Sequence, residues 1–268
     1  MRKQILGVNI DDISMDEVLK TVEGWLSRSG KHYIVTPNPE FLVTANSNNR
    51  FQMILNRSNL SIPDGVGLRL GGVKNRVSGT DLMEGLIKLA NEKGYTIGLL
   101  GGRDEVAEKT AECLRKRYPK LKISFMMSDI QVGMTRQGAK KHSANQSETS
   151  NNSLASLEAR PAPTIEQRGS PHFLTAPDFV IPATDILFVA FGHPKQEYWI
   201  AENLPKIKVK VAMGVGGAFD YFSGKIPRAP KLIRSLGLEW LFRLMVQPWR
   251  IRRQLALIKY IYLLTRAT

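Results

Sequence analysis

The chain has 268 residues, 43% of them hydrophobic, and a formal net charge of +14. That share of apolar residues is enough for a buried core, and the single cysteine, Cys113, excludes an internal disulfide. No stretch reaches the roughly 20 apolar residues that span a bilayer, and Met1-Arg2-Lys3 opens no signal-peptide pattern, so a cytosolic protein is expected.

Ser14-Met15-Asp16-Glu17 fits a capping box and predicts a helix over about 14–29, ended by Gly30. Residues 32–36 read as a strand. Thr36-Pro37-Asn38-Pro39 reads as a loop, because two prolines cannot both sit in a ladder. A helix over about 49–57 leads to the short apolar strand Leu60-Ser61-Ile62, which ends in Pro63-Asp64-Gly65. Thr80 is expected to cap a helix that runs to about Lys93 and stops at Gly94. A strand at 95–100 is followed by Gly101-Gly102 and a helix over about 104–117, where Cys113 is expected to be a buried, inert thiol. Further strands are expected at 121–127, 184–191 and 209–213. The second is nearly all apolar, as in a strand buried on both faces. A helix is expected near 195–203.

Strands that alternate with helices define an α/β protein with a mainly parallel, doubly wound sheet and helices on both faces. Two regions break the alternation. Residues 133–176 are rich in Ser, Asn, Gln and Pro and read as a disordered insertion. Residues 228–268 read as a basic, helical appendage to a domain at 1–227, interrupted by Pro248.

In doubly wound sheets, ligands bind beyond the carboxyl ends of the strands. Thr36, Asp64, Gly101, Gly192 and Gly214 all follow predicted strands. Asp64 sits between a residue that fixes φ and one that accepts any φ, so it is either a rigidly presented carboxylate or part of an ordinary turn. Gly98-Leu99-Leu100-Gly101-Gly102 and Gly214-Val215-Gly216-Gly217-Ala218-Phe219-Asp220 can each bring backbone N–H groups to a phosphate, or simply form tight turns. Lys195 and Gln196, in a first helical turn, can hold a pyrophosphate or a sugar hydroxyl. His193 beside them is an acid–base candidate or a loop histidine. There is no G-x-G-x-x-G pattern, which argues against a nicotinamide enzyme, and no Asp-x-Asp or histidine spacing that suits a metal.

The net charge points to a polyanionic partner: nucleic acid, an anionic membrane or a phosphorylated substrate. From Lys225 to Thr268 there are ten basic residues and one acid, Glu239, so nine of the fourteen net charges lie in the tail. Arg243, Arg250 and Arg253 share one helical face if the helix continues through Pro248. Ile251, Leu255, Ile258 and Tyr262 form an apolar face, and Leu257, Ile261 and Leu264 form a second. Such a helix suits an anionic membrane surface or a packed terminal helix with solvated charges. It can also pack on a second copy, so a homo-oligomer stays open. A nucleic-acid-binding protein is the alternative function, although RNP-like aromatic motifs are missing.

Taken in order, Thr36-Pro37-Asn38, Pro63-Asp64-Gly65, Arg76-Val77-Ser78-Gly79-Thr80-Asp81, Gly101-Gly102, Pro194-Lys195-Gln196-Glu197, Gly214-Val215-Gly216-Gly217-Ala218-Phe219-Asp220, Arg228-Ala229-Pro230 and Glu239-Trp240-Leu241-Phe242-Arg243 resemble the WecG/TagA/CpsF family of bacterial glycosyltransferases. The resemblance implies a Rossmann-like domain with a membrane-associating C-terminal appendage, on the inner face of the cell membrane. It implies inverting transfer of N-acetylmannosamine, or a related sugar, from a UDP donor to undecaprenyl-diphosphate-linked N-acetylglucosamine, in teichoic acid or surface polysaccharide synthesis. Asp64 matches the family's catalytic base. Thr36, Asn38 and Gln196 match positions near the sugar and diphosphate, and Arg76 matches an arginine beside the site. Arg243, Arg250 and Arg253 match appendage arginines over the diphosphates. Gly216, Gly217 and Asp220 would hold the nucleoside. The arginines would replace a metal, so no cofactor is expected. After the strand at 121–127 the sequence departs from the family's short turn and helix, and the polar insertion stands there instead.

Overall fold

The computed structural model describes residues 2–128 and 180–267, so the insertion expected at 133–176 lies outside the described residues. Strands β1 (Arg2–Ile5) and β2 (Val8–Asp11) form an antiparallel hairpin that the sequence reading did not anticipate. Its two-residue turn is Leu6-Gly7, both at positive φ. The main sheet comprises β3 (His32–Val35), β4 (Leu60–Ser61), β5 (Thr96–Gly101), β6 (Lys122–Met127), β7 (Thr184–Ala190) and β8 (Val209–Gly214). All its pairings are parallel, in the order β4-β3-β8-β7-β5-β6.

Alternation along the strands divides the core between two faces. Ile34, Ile97, Leu99, Ile186, Phe188, Val211 and Met213 face one layer. It is packed by α1 (Met15–Leu26), α4 (Gly79–Lys93) and α5 (Val106–Arg117). Leu100, Leu187, Val189 and Ala212 face the other way, against Trp199 and Ile200 of α6 (Lys195–Asn203). Each large side chain buried this way contributes about 1.5–3 kcal/mol. The doubly wound α/β class is therefore as read from the sequence.

Local signals explain most boundaries. The Ser14 capping box forms, with the Ser14 N–H donating to Glu17 Oε2 at 2.7 Å. Gly94 ends α4 in the left-handed conformation at φ 77°. A helix missing from the sequence reading is α2 (Pro39–Ser47). Pro39 occupies its first turn, where a missing N–H costs nothing, and the Asn38 side chain caps it. It is followed by α3 (Asn49–Asn56). Cys113 corrects another expectation. α5 buries Val106, Ala107, Thr110, Ala111 and Leu114, and that spacing leaves Cys113 on the exposed side.

After β8 come α7 (Ala218–Phe222), α8 (Lys231–Ser235), α9 (Glu239–Val246) and α10 (Ile251–Ala267). Gln247 leaves helical geometry at φ −132°, and a 3-10 turn spans Pro248–Arg250. The helix does not continue through Pro248, so Arg243, Arg250 and Arg253 do not lie on one unbroken helical face. Tyr260 of α10 is fully buried in a cluster with Ile5, Ile10, Phe41, Phe51 and Leu68. Leu257 and Leu264 pack against the same cluster, whereas Ile251, Leu255, Ile258 and Tyr262 stay exposed. The helix is therefore packed along one side, as one of the two readings expected, and leaves apolar side chains exposed along the other, Ile261 among them. No helix among the described residues is long and apolar enough to cross a membrane.

Candidate active site

A cleft of about 260 Å³ opens at the carboxyl ends of β3 and β4. Its walls include Asn38, Asp64, Arg76, Ser78, Thr80, Tyr221, Glu239, Trp240, Arg243 and Arg250. The sheet rim supplies Asn38 and Asp64, and the C-terminal helices supply Glu239, Trp240 and Arg243.

Asp64 is held at both ends of its residue. Its N–H donates to the Pro37 carbonyl at 2.8 Å, which ties the loop after β4 to the loop after β3. Its carboxylate accepts from the Gly79 N–H. Gly79 leaves room for this approach. A Cβ there would lie 3.2 Å from Thr36 Oγ1 and 3.3 Å from Asp64 Oδ2. Burial pushes the Asp64 carboxyl up to about 6, the Gly79 N–H and Arg76 pull it down, and the negative charges of Glu239 and Asp81 push it up further. A carboxylate poised there can take a proton near neutral pH.

The cations come from two directions. Arg76 donates to the Arg234 carbonyl at 3.0 Å and lines the cleft. Arg243 donates to the Gly217 carbonyl at 3.4 Å, lies 3.6 Å from Asp220 Oδ2 and stacks 4.8 Å from the Tyr221 ring centroid. Arg243 thus bridges the cleft and the glycine loop after β8. Arg250 donates to Gln247 Oε1 at 3.0 Å on the same wall. Arg228 reaches Asp81 at 2.6 Å, Glu84 at 3.3 Å and Glu239 at 3.6 Å, and Arg234 reaches Asp81 at 3.1 Å. Arg228, Arg234, Arg243 and Arg250 are therefore half-buried against these partners, whereas Lys225, Lys259 and Arg266 are exposed.

The structure brings Asn38, Asp64, Arg76, Arg243 and Arg250 to one cleft, with Thr36 behind Gly79. Gly217 and Asp220 join it through Arg243. Gln196 does not line it. That side chain is buried and accepts from the Gly216 N–H at 2.9 Å. Gly101 and Gly102 lie at the end of β5, where the Gly102 N–H donates to the Ala190 carbonyl. Lys195 is exposed at the start of α6. The Arg253 side chain is outside the described residues. His193 is clamped between the Phe41 and Phe51 rings, with Nε2 3.0 Å from Thr44 Oγ1, away from the cleft walls. Sequence reasoning missed Glu239 and Trp240 as cleft residues, although both stand in a motif it singled out. Among the described residues, no three His, Cys, Asp or Glu side chains gather as a metal site.

A buried carboxyl and a set of arginines at the rim of a doubly wound sheet form a cleft whose charge suits an anionic substrate. Comparison with known proteins gives the class. The chain belongs to the glycosyl transferase WecG/TagA/CpsF family, whose sequence profile matches residues 3–153 and 182–268. It is 29% identical over 243 residues to the N-acetylglucosaminyldiphosphoundecaprenol N-acetyl-beta-D-mannosaminyltransferase of Bacillus spizizenii, covering 88% of this chain and 80% of that protein. It is 27% identical over an alignment of 271 residues to a protein of the same name from Staphylococcus aureus, covering 98% of this chain and 92% of that one.

Proposed function

We propose that this protein transfers N-acetylmannosamine, or a closely related sugar, from a UDP donor to N-acetylglucosamine carried on undecaprenyl diphosphate, with inversion at the anomeric carbon. The observation that carries this reading is the placement of Asp64. Its carboxyl, raised to about 6, shares one cleft with Arg76, Arg243 and Arg250. The relatives' names supply the transferred sugar and the acceptor.

In the proposed reaction the acceptor hydroxyl oxygen attacks the donor's anomeric carbon and Asp64 takes its proton. The bond from that carbon to the diphosphate oxygen breaks, and UDP leaves with the electron pair. Arg243 and Arg250, with Arg76 and Arg253, offset the charge that develops on the leaving diphosphate, a role that guanidinium groups can fill without a metal. Asn38 and Thr36 stand on the sugar side. Gly216, Gly217 and Asp220 hold the nucleoside, with Gln196 beneath them, and Gly101, Gly102 and Lys195 complete that rim. The exposed side of α10 (Ile251, Leu255, Ile258 and Tyr262) would rest on the inner face of the membrane, where the lipid-linked acceptor resides.

The test is the stereochemistry of the product. With an α-linked UDP-N-acetylmannosamine donor, NMR of the isolated disaccharide lipid should show a β linkage. An α linkage would overturn the single-displacement reading, and no product from any of a panel of UDP-sugars would overturn the donor class.

A further inference from the structure

Pro194-Lys195-Gln196-Glu197 contains a buried acid to which the proposed reaction gives no task. Glu197 lies in the first turn of α6 with 1% of its surface exposed. Gln196 Nε2 donates to Glu197 Oε1 at 2.6 Å, and the Gly216 N–H donates to Gln196 Oε1 at 2.9 Å. A carboxylate has only acceptors, so the Gln196 amide must turn its NH2 group towards Glu197 and its oxygen towards the loop. The loop rests directly on this amide. A Cβ on Gly214 would lie 2.6 Å from Gln196 Nε2, and Gly216 takes φ +51°. On its other side Glu197 Oε2 lies 3.8 Å from His193 Nδ1. His193 is in turn seated against Phe41 and Thr44 of α2, the helix that Asn38 caps in the cleft.

We propose that Glu197 is a positioning residue: its carboxylate orients the Gln196 amide, which fixes Gly216 and with it the glycine loop that receives the nucleotide. The assignment of the loop to the nucleotide rests on the function proposed above. The consequence runs along the loop through Gly217 to Asp220 at the start of α7. Without Glu197 the amide is free to flip, its oxygen leaves Gly216, and the loop loses the contact that sets its height above the sheet. An apolar residue would fill this interior position at lower desolvation cost, so the acid gains a reason to be there from the orientation it enforces.

The experiment compares the full-length protein with its Glu197→Ala and Glu197→Gln variants. The first readout needs no donor. Amide hydrogen exchange at Gly216, followed by NMR in the free protein, should quicken by about tenfold or more in Glu197→Ala, with β5 and β7 amides unchanged. Unaltered exchange at Gly216 overturns the proposal. The second readout is calorimetric titration with UDP, alongside steady-state kinetics. The UDP dissociation constant and the donor KM should rise together by about tenfold, while kcat and the acceptor KM stay within about twofold. A uniform loss that follows a falling melting temperature marks a purely structural role and overturns it. Glu197→Gln keeps the volume and covers the case in which the alanine variant does not fold. Its new amide oxygen can still accept from Gln196 Nε2, while its NH2 group can also pair with a flipped Gln196, so it should show both effects in smaller measure. If Gly216 exchange responds but the unaltered protein does not bind UDP, the relay stands and the UDP reading falls.

Discussion

The Arg228 guanidinium donates to the Asp81 carboxylate at 2.6 Å, and this contact ties the C-terminal helices to the helix that begins beside Asp64. The same guanidinium faces Glu84 and Glu239. Replacing Arg228 with alanine removes the cation shared by three carboxylates, one of them in the cleft wall. The expected cost is about 1–3 kcal/mol of stability in urea unfolding, together with loss of transfer activity. Arg228→Lys should recover only part of both, because an ammonium cannot fork between the partners. An alanine variant as stable and active as the parent would show that the network does not hold the C-terminal helices in place.

Asp64→Asn tests the base assignment. Removing a general base costs typically ~10²–10⁴-fold in rate. The fold should not suffer. The Asp64 carboxyl is raised from 3.8 to about 6 by burial. Its contribution to stability is therefore fully present below about pH 4 and is lost as the pH rises through about 6. Above that the ionised form carries a penalty of about 2 kcal/mol, discounted for the part of the group open to the cleft. The neutral amide avoids this penalty, so at pH 8 the variant should melt no lower than the parent. A lower melting temperature would contradict the burial argument.

The same shift predicts the acid limb of the pH profile. On the proposed mechanism only ionised Asp64 accepts a proton, so kcat/KM should fall as the pH drops through about 6. Glu239 pushes the Asp64 carboxyl up from across the cleft. Glu239→Gln should therefore move the acid limb to lower pH, as read from kcat/KM over pH 4.5–8. Asp81, which acts in the same direction, and Arg76, which opposes it, remain in place. A limb that stays put in a folded Glu239→Gln protein would remove Glu239 from the electrostatics of the base.

On the proposed membrane reading, helix α10 separates fold from docking on its two sides. Tyr260, 0% exposed, should cost about 3–5 kcal/mol on replacement by alanine, as large core truncations do. Leu255 and Ile258 are 63% and 66% exposed. Converting both to serine should leave melting unchanged and reduce binding to anionic vesicles at least about tenfold, as followed by co-sedimentation. Vesicle binding that survives this change would place the membrane contact elsewhere.

The sheet and its rim were legible because strong local signals agreed with the global pattern. The apolar run at β7, the Ser14 capping box and Gly94 each announce an element unaided. Helix α2 was hidden because Pro39 reads as a breaker unless its place in the first turn is known. The β1–β2 hairpin has only four residues a strand, and its turn places Leu6, not a usual turn former, at positive φ. Cys113 shows how one residue's burial depends on helix phase rather than on its type. In the site, Asp64 stood out through Pro63 and Gly65. Glu239 did not, because only the packing of α9 over the rim brings it to Asp64. Gln196 stood in a legible motif, but its side chain is buried against Glu197 and Gly216 rather than lining the cleft, and no spacing in the sequence encodes that aim.

UDP release tests the assignment of Asp64 as the base of a sugar transfer. Purified protein is mixed with UDP-N-acetylmannosamine and a short-chain diphosphate-linked N-acetylglucosamine lipid in detergent, with EDTA present and Asp64→Asn run in parallel. The parent protein should release UDP only when acceptor is present, undiminished by EDTA, and Asp64→Asn should release almost none. Release by a folded Asp64→Asn protein at a rate near that of the parent would contradict that assignment.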